Sequence, residues 1–349
     1  MVYFAMGMAL HSEGSYEDVL ALISDGISWA DRAEDARALA NKAAIFHARD
    51  RLGFEPMELL FDRVAKPLAQ EDTSGSWLAG RRLVAIDGTC LDVPDTPVND
   101  AYFGRPGTAK GERAAFPQAR VVALAECGTH AMFEAAISPY TTSEKELSAE
   151  VIAQLAPGML CLADRGFYSF VTWTHASATG ADLLWRVKNN LKLDPIGELD
   201  DGSWLAEVFD SASDRKRERP VTVRVIEYTV EDGREQAGPY RLLTTILDPE
   251  QAGAVELATA YAQRWEIETA FDELWTHQRG ARAVLRSKSP DLVLQEIWGH
   301  LCCHYAIRTL MGEAAEHAGR DPDRVSFVTA LRISRRSIAQ QGAFSPSHP

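Results

Sequence analysis

The stretch Leu83-Val84-Ala85-Ile86-Asp87-Gly88-Thr89 reads as an apolar strand with one acid set in its middle. Aliphatic and β-branched residues suit a pleated, buried segment. A carboxylate inside such a segment is costly unless a metal or a cation neutralises it. A second reading stays open at this point, because Asp-Gly also marks tight turns in which the acid bonds only its own backbone.

The runs that follow set the fold class. Strand-like stretches over Leu83–Val93, Arg120–Ala125 and His130–Ile137, separated by turn clusters, predict a three-stranded meander. Ser143 to Leu155 predicts a helix, with Ser143 as N-cap and Glu146 in the capping-box position. An apolar strand over Met159–Ala163, a helix over Phe167–Ser177 and a strand over Ala181–Lys188 come next. The order β-β-β-α-β-α-β is that of an RNase H-like α/β fold, a mixed sheet with flanking helices.

Outside this core the texture changes. Met1 to about Ala69 is helical in pattern, with Asp31–Arg51 Ala-rich and periodic, and Glu71–Ser76 reads as a polar linker. Asn189 to Pro249 carries strand-like runs at Thr222–Val230 and Tyr240–Leu247, and long helices are predicted over Pro249–Gln278 and Pro290–Met311. The expected organisation is an N-terminal helical domain (1–75), the first part of the core (76–188), a β-strand insertion (189–249), the two long helices of the core (250–315) and a C-terminal tail (316–349).

The chain has 349 residues, 46% hydrophobic and 25% charged, enough for a large core. Its five cysteines form no CxxC pair, which predicts reduced thiols and no disulfides. The apolar start lacks a basic region and a cleavage site, and Leu292–Ile307 is interrupted by Gln295, Glu296, His300 and His304, so neither a signal nor a membrane span is expected. The net charge of −14 runs against nucleic-acid binding, although Arg215, Lys216, Arg217 and Arg219, then Arg279, Arg282, Arg286 and Lys288, then Arg332, Arg335 and Arg336, form local basic clusters. Solvated faces account for such clusters equally well.

Two more acids join Asp87. Asp164 ends the apolar run Cys161-Leu162-Ala163 and is followed by Arg165-Gly166-Phe167-Tyr168. Strand ends are where α/β sheets place reactive groups, and a helix cap is the competing reading. Farther on, Tyr261, Arg264 and Glu268 stand at i, i+3 and i+7 and share one helix face, as they would in an ordinary salt-bridged helix. His300, Cys302, Cys303 and His304 suggest either zinc ligands or a buried helix, and no second ligand pair accompanies them.

Asp-Gly-Thr on a first strand, Asp-Arg-Gly-Phe-Tyr after a later one and Tyr-x-x-Arg-x-x-x-Glu on a helix together resemble the core of the insertion-sequence-4 family of DDE transposases, over about Leu83 to Gln278. The resemblance implies cut-and-paste DNA transposition by a metal-dependent endonuclease and strand transferase. It implies that Asp87, Asp164 and Glu268 are the catalytic carboxylates and the ligands of two Mg2+ ions, with Mn2+ as a substitute, about 3.5–4 Å apart. It further implies that Tyr261 and Arg264 hold a phosphate of the transposon end, with Arg165 and Arg279 as further DNA contacts. Double-stranded DNA, namely transposon ends and target, is the implied partner of a homodimer. A cytoplasmic, nucleoid-associated bacterial location follows.

Three departures accompany the resemblance. The family pattern continues from the Glu across six residues to a Lys, and here that position is Trp275. Tyr240–Leu247 lacks the Trp that hairpin-forming relatives carry before the catalytic helix. Both ends are short for the family, which reads as truncation. These departures motivate the alternative of a decayed or repurposed transposase that binds DNA without cutting it.

Overall fold

The computed structural model describes residues 1–26, 40–107, 111, 113–210, 220–229, 239–280 and 284–338. Helices α1 (Val2–Leu10), α2 (Tyr16–Gly26), α3 (Lys42–Leu52) and α4 (Glu55–Val64) come first, then the short β1 (Trp77–Leu78) and the long β2 (Arg81–Asp92). Helix α5 (Pro97–Phe103), strands β3 (Gln118–Glu126) and β4 (Met132–Pro139), helix α6 (Glu144–Ile152), strand β5 (Met159–Ala163), helix α7 (Phe170–Ala178) and strand β6 (Asp182–Arg186) complete the first part of the core. The predicted order β-β-β-α-β-α-β is present, apart from α5, which was not anticipated. Helix α7 starts three residues later than expected because Ser169 caps it through Thr172 N.

Among the described residues one sheet carries every strand, in the order β4-β3-β2-β5-β6-β10-β9-β8-β7, with β1 beside β2. Strands β2, β3 and β4 form the antiparallel meander, while β5 and β6 lie parallel to β2. This is the RNase H-like arrangement. Strands β7 (Pro195–Glu198), β8 (Trp204–Val208), β9 (Val221–Tyr228) and β10 (Tyr240–Thr244) extend the same sheet, because β10 pairs antiparallel with β6. The middle of β2 is fully buried at Val84, Ala85 and Ile86, as an apolar run covered on both faces requires.

Helical chain runs from Ala254 to Gln278 as α8 (Ala254–Tyr261), a 3-10 turn (Ala262–Arg264), α9 (Trp265–Asp272) and a π-helical turn (Glu273–Gln278). It starts later than the predicted Pro249, where Glu256 accepts from the backbone N–H of Gly253 at 3.0 Å. Helix α10 (Pro290–Ala318), a 3-10 turn (Pro322–Arg324) and α11 (Phe327–Ile338) follow. Among the described residues no helix is long and apolar enough to cross a membrane.

The N-terminal helices pack on α10. A Cβ on Gly299 of α10 would stand 3.1 Å from the Ala5 carbonyl oxygen of α1, so glycine permits this close crossing. Phe61 of α4 meets Trp298 at 5.4 Å between ring centroids. Arg49 of α3, fully buried, donates to Gln295 at 2.8 Å and to the Tyr16 hydroxyl at 2.6 Å.

A buried ionic cluster joins α10 to the π turn. Arg308 donates through Nε to Glu273 at 2.9 Å, and His304 Nε2 lies 3.2 Å from the same carboxylate oxygen. Burial alone would raise the Glu273 pKa, but bonding to His130 and His304 and the charge of Arg308 hold it well below the ordinary value of 4.5. Its stabilisation is therefore complete above about pH 4.5 and is lost as pH falls below that value. Glu273→Gln leaves Arg308 buried without its counter-charge, which costs about 3–5 kcal/mol. Urea unfolding at pH 7 and at pH 4 measures both effects: the difference between variant and parent should shrink at the lower pH.

Candidate active site

The sheet register brings the first two acids together. Ile86 of β2 pairs with Ala163 of β5, so Asp87 and Asp164 are the next residues on adjacent parallel strands. Asp87 stays inside its strand, which continues to Asp92, so the tight-turn reading of Asp-Gly does not hold. Its carboxylate accepts from the Gly88 N–H at 2.8 Å. Asp164 follows the last residue of β5, and its carbonyl accepts from the Phe167 N–H at 3.1 Å to close the turn before α7.

The third acid comes from α9 and is linked to the first by an arginine. Arg264 donates to Asp87 at 3.3 Å and to Glu268 at 2.7 Å. Tyr261, one turn earlier, is buried, and its hydroxyl donates to the carbonyl of Ala163 at 3.2 Å, beside Asp164. The helical face that carries Tyr261, Arg264 and Glu268 is thus fixed across the middle of β2 and the end of β5. Burial pushes the Tyr261 hydroxyl far above its ordinary value, so it stays protonated and able to donate.

The electrostatics fit a cation-binding group. Burial, reinforced by Glu268 and Glu144 and opposed by the Gly88 N–H and Arg264, pushes the Asp87 carboxyl up to about 6. The bond to Glu268 holds Arg264 firmly protonated against the effect of burial. Asp164 has its own cation, Arg186, at 3.8 Å. Three hard oxygen donors, two of them already bridged by a guanidinium, form the kind of ligand set that suits Mg2+ or Mn2+. The three carboxylates stand wider apart than a closed metal cage. Among the described residues the only trio whose ligand atoms all lie within 4.8 Å of one another is His130, Glu266 and Asp323.

The remaining residues singled out in the sequence divide into exposed and internal. Arg165 is exposed beside Asp164. Arg279 is half-buried, and its Nε donates to the Trp275 carbonyl at 3.0 Å. Trp275 is buried in the main core and meets His300 edge-on at 5.8 Å. His300, Cys302, Cys303 and His304 lie buried along α10, where Cys302 contacts the Met57 carbonyl, Cys303 the Met6 carbonyl and His304 Glu273. They point to separate partners, and the buried-helix reading holds. All five cysteines are free.

The basic clusters divide similarly. Arg286 donates to the Gly14 carbonyl at 2.8 Å and Arg335 to the Leu10 carbonyl at 2.7 Å, so both hold the N-terminal segment in place. Arg215, Lys216, Arg217, Arg219 and Arg282 lie outside the described residues.

Two residues near the acids were missed. Arg186 ends β6, stacks over the Tyr240 ring at 4.0 Å and reaches Asp164. A lone Arg closing an apolar strand, with Tyr240 more than fifty residues farther along the sequence, is a weak signal. Glu144, first residue of α6, lies so close to Gly88 that a Cβ there would come within 2.4 Å of its carboxylate. Capping logic marked Glu146 in that turn and hid its neighbour.

Residues 78–306 match the family model described as "Transposase DDE domain", and residues 1–62 match "Insertion element 4 transposase N-terminal". The chain is similar to the transposase InsG for insertion sequence element IS4 of Escherichia coli (strain K12), at 30% identity over 98% of this chain and 76% of that protein. Among solved structures it is similar to a piggyBac transposase synaptic complex with hairpin DNA, at 12% identity and a TM-score of 0.47, over 74% of this chain and 52% of that one.

Proposed function

The chain belongs to the DDE transposases of the insertion element 4 type, and from that premise we propose that Asp87, Asp164 and Glu268 are its catalytic carboxylates. The protein is a transposase, in the class of metal-dependent DNA endonucleases and polynucleotidyl transferases. The observation that carries the site assignment is the pair of hydrogen bonds from Arg264 to Asp87 and Glu268, with Tyr261 anchored to the carbonyl preceding Asp164. Three separate segments of the sequence motif meet there.

Asp87, Asp164 and Glu268 would together hold divalent ions, Mg2+ or Mn2+, through an all-oxygen set. Bound there, the ions supply charge neutralisation at the phosphodiester and a water acidic enough to attack it. The chain's own residues set the geometry. The carbonyl of Ala163 and the hydroxyl of Tyr261 hold the end of β5 against the helix, so Asp164 and Glu268 keep a fixed spacing. Arg264 would offer its fork to a transposon-end phosphate, with Arg165 exposed beside Asp164 and Arg186 3.8 Å from it as further cations at the site, and Arg279 as a further DNA contact.

Water attacks the phosphodiester at the transposon end and frees a 3′-hydroxyl. That hydroxyl then attacks a target phosphodiester, and each step exchanges one P–O bond for another. Two transposon ends call for a homodimer on double-stranded DNA, at the bacterial nucleoid. The test is cleavage of a labelled duplex carrying the ends of the host element. Nicking at the end that requires Mg2+ or Mn2+ is the expected result; binding without cutting under both metals would overturn it.

A further inference from the structure

On a different face of α9 from Glu268 lies the one trio of metal-ligating side chains that closes to within 4.8 Å among the described residues: His130, Glu266 and Asp323. They come from three distant parts of the chain. His130 sits in the turn between β3 and β4, Glu266 is on α9 two residues before Glu268, and Asp323 is in the 3-10 turn between α10 and α11. We propose that this trio is a second divalent-cation site, for an ion of the zinc class, that clamps the α10–α11 turn to the catalytic helix.

The histidine carries the inference. His130 is only 7% exposed, yet its Nε2 has no hydrogen-bond partner. That atom lies 3.1 Å from Asp323 Oδ1 and 3.6 Å from Glu266 Oε2, with neither in hydrogen-bonding geometry. A buried nitrogen set between two carboxylates and paired with them by charge, without well-aligned hydrogen bonds, leaves part of its bonding capacity unused at some cost. A cation shared by all three removes that cost. Burial lowers the His130 pKa, and the carboxylates of Asp323 and Glu273 more than reverse the effect, so this position already favours positive charge. A divalent cation supplies that charge in place of a proton.

The second layer is present as well. Glu273 Oε1 lies 3.7 Å from His130 Nδ1, on the side of the ring away from the trio, where a small turn of either side chain would bring the carboxylate to orient the imidazole. Arg308 also contacts Nδ1, and Glu273 holds the same guanidinium. Glu266 is positioned by the Gly128 N–H. Gly128 itself has φ +81, and a Cβ there would stand 2.4 Å from the Ser74 carbonyl oxygen, so this turn admits only glycine. One nitrogen and two carboxylates, with a position left for water, is a donor set that zinc takes readily. Thr129, Asp321 and Arg324, chain neighbours of two ligands, line a cavity of about 960 Å³ that offers an entry path.

The consequence is mechanical. A cation there fixes Glu266, and with it the turn of α9 that presents Glu268. The site needs no DNA and is independent of the catalytic assignment, so its test removes the catalytic set first.

The full chain carrying Asp87→Ala, Asp164→Ala and Glu268→Ala is equilibrated with Zn2+ and, separately, Co2+. It is compared with the same protein carrying also His130→Gln or Asp323→Asn. The expected result is one equivalent of Zn2+ in the triple variant, a visible Co2+ absorption of low-symmetry coordination, and affinity lowered at least about 100-fold by either added change. Asp323 is partly exposed, so its Asn variant stays folded, and circular dichroism verifies that. Equal uptake by all three proteins, or uptake by none, overturns the proposal; the second result identifies His130 as an imidazolium paired with carboxylates.

Discussion

Replacing Asp87, Asp164 or Glu268 by Ala abolishes metal-dependent strand cleavage, with a loss on the order of 10³-fold or more for each. The size follows from the work the carboxylates do: an ion held at the scissile phosphate contributes several kcal/mol to the transition state, and each missing ligand removes most of it. Folding should not suffer from the change at Asp87. Asp87 is held above its ordinary value, at about 6, chiefly by burial, so its charged form is disfavoured in the folded protein. The sign is that of a raised carboxylate: at neutral pH the group destabilises the fold, and that penalty fades as pH falls through about 6. Asp87→Ala should therefore melt at or above the parent's temperature when no divalent ion is added, while being inert in cleavage. A large drop in melting temperature would mean that Asp87 is structural instead.

Trp275→Lys destabilises the protein by about 3–5 kcal/mol, and does not improve cleavage. The family pattern places a Lys here, which makes the substitution the obvious repair. The structure argues otherwise. Trp275 is 6% exposed, belongs to the main core and packs edge-on against His300. It also lies in the π-helical turn Glu273–Gln278, whose wider winding changes which side chains face outward relative to an α-helix. A Lys at this point would leave a cavity and bury an ammonium that has no carboxylate prepared for it. Urea unfolding of the variant beside the parent measures the loss. A variant as stable as the parent that cuts DNA faster would place residue 275 at the DNA.

The parts of the fold that the sequence made legible are those where burial repeats with a fixed period. The apolar middle of β2 and the runs of β5 and β6 read as strands because both faces of the sheet are covered. The Ser143 and Ser169 caps left visible marks, although only the first was used. The pairing of β10 with β6 was not legible, since pairing between distant segments depends on register and leaves no periodic trace. For the same reason nothing in the sequence showed that the β insertion, β7 to β10, extends the core sheet.

The site divides along similar lines. Asp87 and Asp164 could be singled out because a charge in or at the end of an apolar strand is costly. Glu268 needed its Tyr-x-x-Arg context, since the helix offers Glu266, Asp272 and Glu273 as well. What the spacing could not give was the state of the cations around the acids: Arg264 between two carboxylates, Arg186 beside the third. Trp275 was read by its chemistry alone, as a missing charge. Its burial reflects packing against α10, which no local pattern records.

The measurement that bears most directly on the site is the metal preference of Asp164→Cys on a labelled transposon-end duplex. A thiolate is a poor ligand for Mg2+ and a better one for Mn2+. If Asp164 binds the catalytic ion, the variant is inert in Mg2+ and recovers cutting in Mn2+. Cutting in Mg2+ at the parent's rate would contradict the assignment.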